Sequence, residues 1–113
     1  MKIISDTLPL FELKQMAQAI FGNLVKAVVD TDRGLLAVDA ELHADLEALL
    51  LQNGSRQNNL WGINLYPEES DDQFIEYDSM INVRPSQGNR SRSIENESTR
   101  SQIADIVRMR ITR

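Results

Sequence analysis

The sequence predicts an α+β domain: a mainly antiparallel sheet of four to five strands, formed by two β-hairpins, with three helices packed mostly on one face. Three observations lead there. Apolar residues recur at helical spacing in three separated stretches, near residues 10–21, 42–50 and 103–111. Between them lie short runs rich in valine, leucine and isoleucine. Those runs come in adjacent pairs joined by turn-forming residues, the mark of antiparallel hairpins rather than of βαβ units.

Lys2–Ser5 reads as a short first strand. Thr7 is placed to cap a helix whose first turn holds Pro9, where a missing N–H costs nothing. Leu10, Leu13, Ala17 and Ile20 continue at helical spacing with Phe21 beside them, and Gly22 supplies the stop. Leu24–Asp30 and Leu35–Ala40 form a hairpin around Thr31-Asp32-Arg33-Gly34, whose glycine can take the positive φ such a turn needs. Leu42, Leu46, Leu49 and Leu50 then make a helical stripe, with Asp45 and Glu47 near the positive helix end. Gly54 closes it, and residues 55–59 form a polar loop.

The second hairpin joins Leu60–Tyr66 to Gln73–Val83 through residues 67–72. With Tyr66 near Phe74, Leu65 faces Ile75, Ile63 faces Tyr77 and Trp61 faces Ser79. Ile81 and Val83 continue the same apolar face. The opposite face gathers Asn64, Glu76, Asp78, Asn82 and Arg84, with Gly62 across from Asp78. A last helix over Glu97–Thr112 carries Ile103, Ile106, Val107 and Ile111 on one side.

Composition narrows the function classes. A chain of 113 residues fits a single domain spanning 1–113. The absence of cysteine excludes disulfides, thiolate metal sites and thiol catalysis, and the single histidine excludes an imidazole-rich metal cage. No apolar run reaches the ~20 residues of a membrane helix, and no targeting segment is evident, so a cytoplasmic location is expected. The net charge of −5 is uneven. Residues 84–113 hold seven arginines against three acids (+4), and residues 1–83 hold five basic against fourteen acidic residues (−9). The acidic total argues against general nucleic-acid binding, which rests on many phosphate contacts.

The strings Val25-Lys26-Ala27-Val28-Val29-Asp30, Glu41-Leu42-His43-Ala44-Asp45 and Leu60-Trp61-Gly62-Ile63-Asn64-Leu65-Tyr66-Pro67 continue into Asp78-Ser79-Met80-Ile81-Asn82-Val83-Arg84-Pro85-Ser86-Gln87-Gly88-Asn89-Arg90-Ser91-Arg92. Together they resemble a family of small uncharacterised bacterial proteins, a domain of unknown function with cyanobacterial members. The resemblance spans nearly the whole chain. It implies one intact domain, and no activity, cofactor or substrate comes with it.

Three constellations could carry chemistry. The first is the segment 84–92 between the last strand and the last helix. Arg84, Arg90 and Arg92 offer planar forks that match phosphate or carboxylate, and Ser86, Gln87 and Asn89 add neutral hydrogen bonds. It reads as a site for a small anionic ligand or an acidic protein surface. The competing reading has the same arginines bracing the loop against the chain's own acids. The second is the polar sheet face, where Asn64 and Asn82 would form the adjoining wall. There Glu76 and Asp78, two residues apart on a strand, stand roughly 7 Å from each other. A solvated strand face gives the same alternation. The third is Glu41, His43 and Asp45, which share a face only if extended; a helix beginning there splits them. His43, Glu76 and Asp78 are thus the candidates for acid–base work, as in a phosphate-ester hydrolase or nuclease. No metal set is expected, and the sequence names no cofactor. A third reading is a homodimer whose basic last helix docks on an acidic face of its mate.

Overall fold

The structure is a computed structural model and describes residues 1–113. It is α+β, with a five-stranded antiparallel sheet, three helices and a small parallel pair. In chain order the elements are β1 (Lys2–Ile4), β2 (Leu8–Pro9), α1 (Leu10–Ile20), β3 (Val25–Asp30), β4 (Leu35–Val38), α2 (His43–Gln52), β5 (Leu60–Leu65), β6 (Ile75–Glu76), α3 (Glu97–Arg110) and β7 (Ile111–Thr112). The sheet order is β1-β4-β3-β5-β6, and β2 pairs in parallel with β7. No helix is long and apolar enough to cross a membrane.

Two cores sandwich the sheet. On one face α1 and α3 bury Leu13, Ala17, Ile103, Ile106 and Val107 against Ala27, Val29, Leu36, Val38, Trp61, Ile63 and Leu65. The other face is smaller: α2 lays Leu46 and Leu50 on Val28, Leu35, Ala37 and Leu60. Alternate residues of β3 and β4 therefore serve opposite cores, which explains why both strands read as continuous apolar runs.

The first hairpin forms as expected, with Gly34 at φ 67 in its turn. Asp30, fully buried, fixes that turn: one carboxylate oxygen accepts the N–H groups of Asp32 and Arg33, and the other accepts the Ser55 hydroxyl at 2.6 Å. Gly22, at φ 95, ends α1 as expected. Thr7 does not cap it. Leu8 is buried and pairs with Ile111, which keeps the chain extended through Pro9 and starts the helix at Leu10. This parallel pairing, and the strand after α3 that makes it, were not legible as a pattern.

The second hairpin keeps its expected register at the start, with Leu65 opposite Ile75, Asn64 opposite Glu76 and the Tyr66 N–H donating to the Phe74 carbonyl at 2.9 Å. It then departs from the expectation of a strand over Gln73–Val83. Only Ile75–Glu76 is strand, and Met80–Asn82 and Pro85–Gln87 are 3-10 turns. The Ser79 hydroxyl accepts the Ile81 N–H and starts the first of these turns. Ser79 therefore meets Gly62 rather than Trp61, with its Cβ 2.5 Å from where a Gly62 Cβ would stand. Ile81 packs into the α2-side core and Val83 is exposed, so neither extends the apolar face of Ile75 and Tyr77.

Candidate functional site

Beyond β6 the chain still follows β5, but bonds through side chains replace the backbone ladder. The Asn82 amide takes a missing strand's place: its Oδ1 accepts the Gly62 N–H at 2.8 Å and its Nδ2 donates to the Gly62 carbonyl at 2.9 Å. Only glycine permits so close an approach, because a β-carbon at position 62 would collide with Ser79. One step further, Arg84 is 9% exposed and donates to the carbonyls of Ile81, Gln57 and Leu60. Its guanidinium lies 3.5 Å from Glu47 and 4.8 Å from the Trp61 ring centre. Burial pushes its pKa below the usual arginine value while Glu47 holds it up. Arg84 and Asn82 are thus built into the frame beneath the 84–92 loop.

The loop itself closes on a backbone bridge between Arg84 and Asn89, with Gly88 at φ 81 making the turn. Asn89, 3% exposed, donates to the carbonyls of Asn82, Ser91 and Ser93 and accepts the Glu95 N–H. Ser86 and Gln87 lie on the surface, where Gln87 reaches the Asn58 carbonyl at 3.3 Å. The successive N–H groups of Arg90 and Ser91, with the Ser91 hydroxyl, converge on one oxygen of Glu95, each at 2.9 Å. These hydrogen bonds, the Ser91 hydroxyl first, hold the Glu95 carboxyl below its ordinary pKa. The Arg90 guanidinium has no partner in the fold. Arg92 grips Asp78 bidentately at 3.0 and 3.1 Å, and both side chains are about half exposed.

Asp78 joins this loop to the polar face of the sheet. Asn64, 7% exposed, donates to Glu76 at 2.9 Å and to the Asp78 carbonyl at 3.2 Å, and its Oδ1 has no partner. Tyr66 donates to the same Glu76 oxygen, and burial and that carboxylate raise its pKa. His43 is the first residue of α2, so the extended trio with Glu41 and Asp45 does not form. Its Nε2 lies 2.8 Å from the Ile63 carbonyl. A carbonyl can only accept, so Nε2 carries the proton and Nδ1 is left without a partner in the fold. Burial lowers the His43 pKa, opposed by the Ile63 bond; Lys26, Asp78 and Arg92 are all within electrostatic reach. The structure therefore brings His43, Asn64, Glu76, Asp78 and Arg92 to one region. No three histidine, aspartate or glutamate side chains converge to hold a metal ion.

A cleft of about 980 Å³ lies elsewhere, between β6 and α3. Phe74, Ile75, Tyr77, Val107 and Ile111 line it with Arg100, Arg108 and Arg113. Sequence reasoning did not single out these arginines. The signal was the spacing of Arg100, Ala104 and Arg108 along one face of α3. The hydrogen-bonding chemistry belongs to the loop and polar face, and the volume belongs to this cleft; the former is the better candidate for a small polar ligand, since donors there already hold carboxylates.

No curated protein and no solved structure matches the chain. A family model does, over residues 2–110. The chain belongs to the family described as protein of unknown function (DUF5674).

Proposed function

We propose that this protein is a binding module for a small anionic ligand or an acidic partner group, taken at the outer side of the arginine loop. The observation that carries the reading is Glu95: the N–H groups of Arg90 and Ser91 and the Ser91 hydroxyl already surround a carboxylate oxygen. Consecutive backbone N–H groups of this kind form an anion-binding concavity. Glu95 occupies the place a ligand oxygen would take, beside the unpartnered Arg90 guanidinium. Asp78 plays the same part for the fork of Arg92. The Arg92–Asp78 pair is half exposed, and exposed ion pairs contribute only about 0–1 kcal/mol, while Glu95 lies at the surface, so a ligand phosphate or carboxylate can compete for both places.

The test is thermal unfolding of wild type, Glu95→Gln and Arg90→Ala against inorganic phosphate, sugar phosphates, nucleotides and dicarboxylates. One class should stabilise the wild type, stabilise Glu95→Gln more because its internal competitor is weakened, and stabilise Arg90→Ala less. No stabilisation of either wild type or Glu95→Gln by any of these anions ends the reading.

The geometry of His43 favours a second reading, a phosphate-ester hydrolase. A neutral imidazole with its tautomer fixed by Ile63 presents Nδ1 as a base near Asp78 and Arg92. Hydrolysis of an aryl phosphate that survives unchanged in His43→Gln would remove His43 from it.

A further inference from the structure

We infer that the open edge of β6 takes up an extended acidic segment of a partner protein as an added strand, seated in the cleft between β6 and α3. The register of the hairpin sets this up. The Tyr66 N–H donates to the Phe74 carbonyl, while the Phe74 N–H turns back to the Asp71 carbonyl. With Leu65 opposite Ile75 and Asn64 opposite Glu76, the Tyr66 bond sets the alternation in which Ile75 turns its N–H and C=O away from β5. Neither group has a partner in the fold. An unpaired strand edge is a template for another strand unless something blocks it. Downstream, the bridge between Asp78 and Ser93 closes the edge, which confines an added strand to the stretch opposite residues 74–77.

The cleft runs along this stretch, and its chemistry selects the occupant. Phe74, Tyr77, Val107 and Ile111 offer apolar contact to alternate side chains of an extended peptide. Arg113 stacks on the Phe74 ring at 4.7 Å and Arg100 on Tyr77 at 4.6 Å, which fixes each guanidinium plane. Arg100 uses its donors on the Ile94 carbonyl and the Ser93 hydroxyl, whereas Arg113 makes no hydrogen bond and keeps its whole fork for a carboxylate. Arg108 stands further along, paired only with the exposed Asp105. Asp71 and Asp72 also line the cleft and Asp105 answers Arg108, so the charges balance; what calls for an acidic occupant is the free fork of Arg113, held on the Phe74 ring. The other sheet edge lacks this combination. Its recess, about 370 Å³, has Lys2 as its one cation, set against Glu12 and Asp39.

The experiment uses the full chain and a blocked peptide, acetyl-Glu-Val-Glu-Val-Glu-amide, followed by NMR and amide hydrogen exchange. Saturating peptide should slow exchange at Ile75 by about tenfold or more. The same peptide N-methylated at its valines, or with lysine in place of glutamate, should bind about tenfold more weakly, as loss of a hydrogen bond to a strand edge or of a charged pair implies. Arg113→Ala should weaken binding of the parent peptide without unfolding the protein. Equal binding of the N-methylated peptide overturns strand addition. Unchanged exchange at Ile75 overturns the site. Concentration-dependent protection of Ile75 without peptide would make a second copy of this chain the occupant and overturn the partner-protein assignment. Because none of the cleft arginines belongs to the 84–92 loop, failure here leaves the anion reading standing, and the converse holds.

Discussion

His43 shows how one buried side chain links the fold to pH. Its imidazole sits against the Ile63 carbonyl, and burial lowers its pKa from the ordinary 6.5. The unfolded chain therefore takes up a proton at a pH where the folded protein still declines it. Stability is at its full value above about pH 6.5 and falls as pH drops toward the lowered folded pKa, below which this contribution levels off. Urea unfolding between pH 7.5 and 5.5 should show that decline in wild type. His43→Gln, which keeps a donor for Ile63 but does not titrate, should show less of it; an identical slope in the two proteins would mean that another group carries it. The residue type was visible in the sequence. The fixed tautomer was not, because Ile63 lies twenty residues away.

The segment between β6 and α3 behaves as one element, although it contains almost no regular secondary structure. Its integrity rests on side chains that act as backbone: Asn82 for a missing strand, Arg84 for the carbonyls at the start of β5, and Asn89 as a hub for four neighbours. Asn82→Ala leaves the Gly62 N–H and C=O buried without partners. At roughly 1–3 kcal/mol for each unsatisfied buried group, the expected loss is about 3 kcal/mol, read as a lower urea midpoint. Asn82→Asp should be no better, since a second carboxylate oxygen would face the carbonyls of Gly62 and Arg92. A midpoint equal to wild type would show that the amide does not replace the strand. The alternation of residues 73–83 suggested a longer strand because its period is right. Ser79 capping a turn, and Gly62 allowing that turn to press against the sheet, override the period.

At the scale of the whole molecule, α3 closes the structure. It brings Ile103, Ile106 and Val107 to the larger core, and β7 adds Ile111 while pairing with β2. Arg110 ties the same end to the Gly34 carbonyl at 2.8 Å and the Asp6 carbonyl at 3.1 Å. Burying four such side chains is worth roughly 6–12 kcal/mol, comparable to the entire stability of a domain this size. A chain ending at residue 96 should therefore fail to fold, seen as loss of near-UV signal from Trp61. A cooperative unfolding transition in that truncated chain would refute it.

The sequence by itself determined the three helices, the first hairpin, the start of the second and the class of fold, because hydrophobic period, turn chemistry and glycine placement are local properties of the chain. It also pointed to the basic loop and to His43, Asn64, Glu76, Asp78 and Arg92 as polar groups worth attention. Only the tertiary structure decided that Arg84 and Asn82 lie inside the frame, that Glu95 takes the N–H groups of Arg90 and Ser91, and that α2 covers the second face of the sheet. Those outcomes depend on which distant carbonyls, carboxylates and apolar faces meet in space, and buried polar groups are assigned by the partners they find rather than by the residues beside them in the chain.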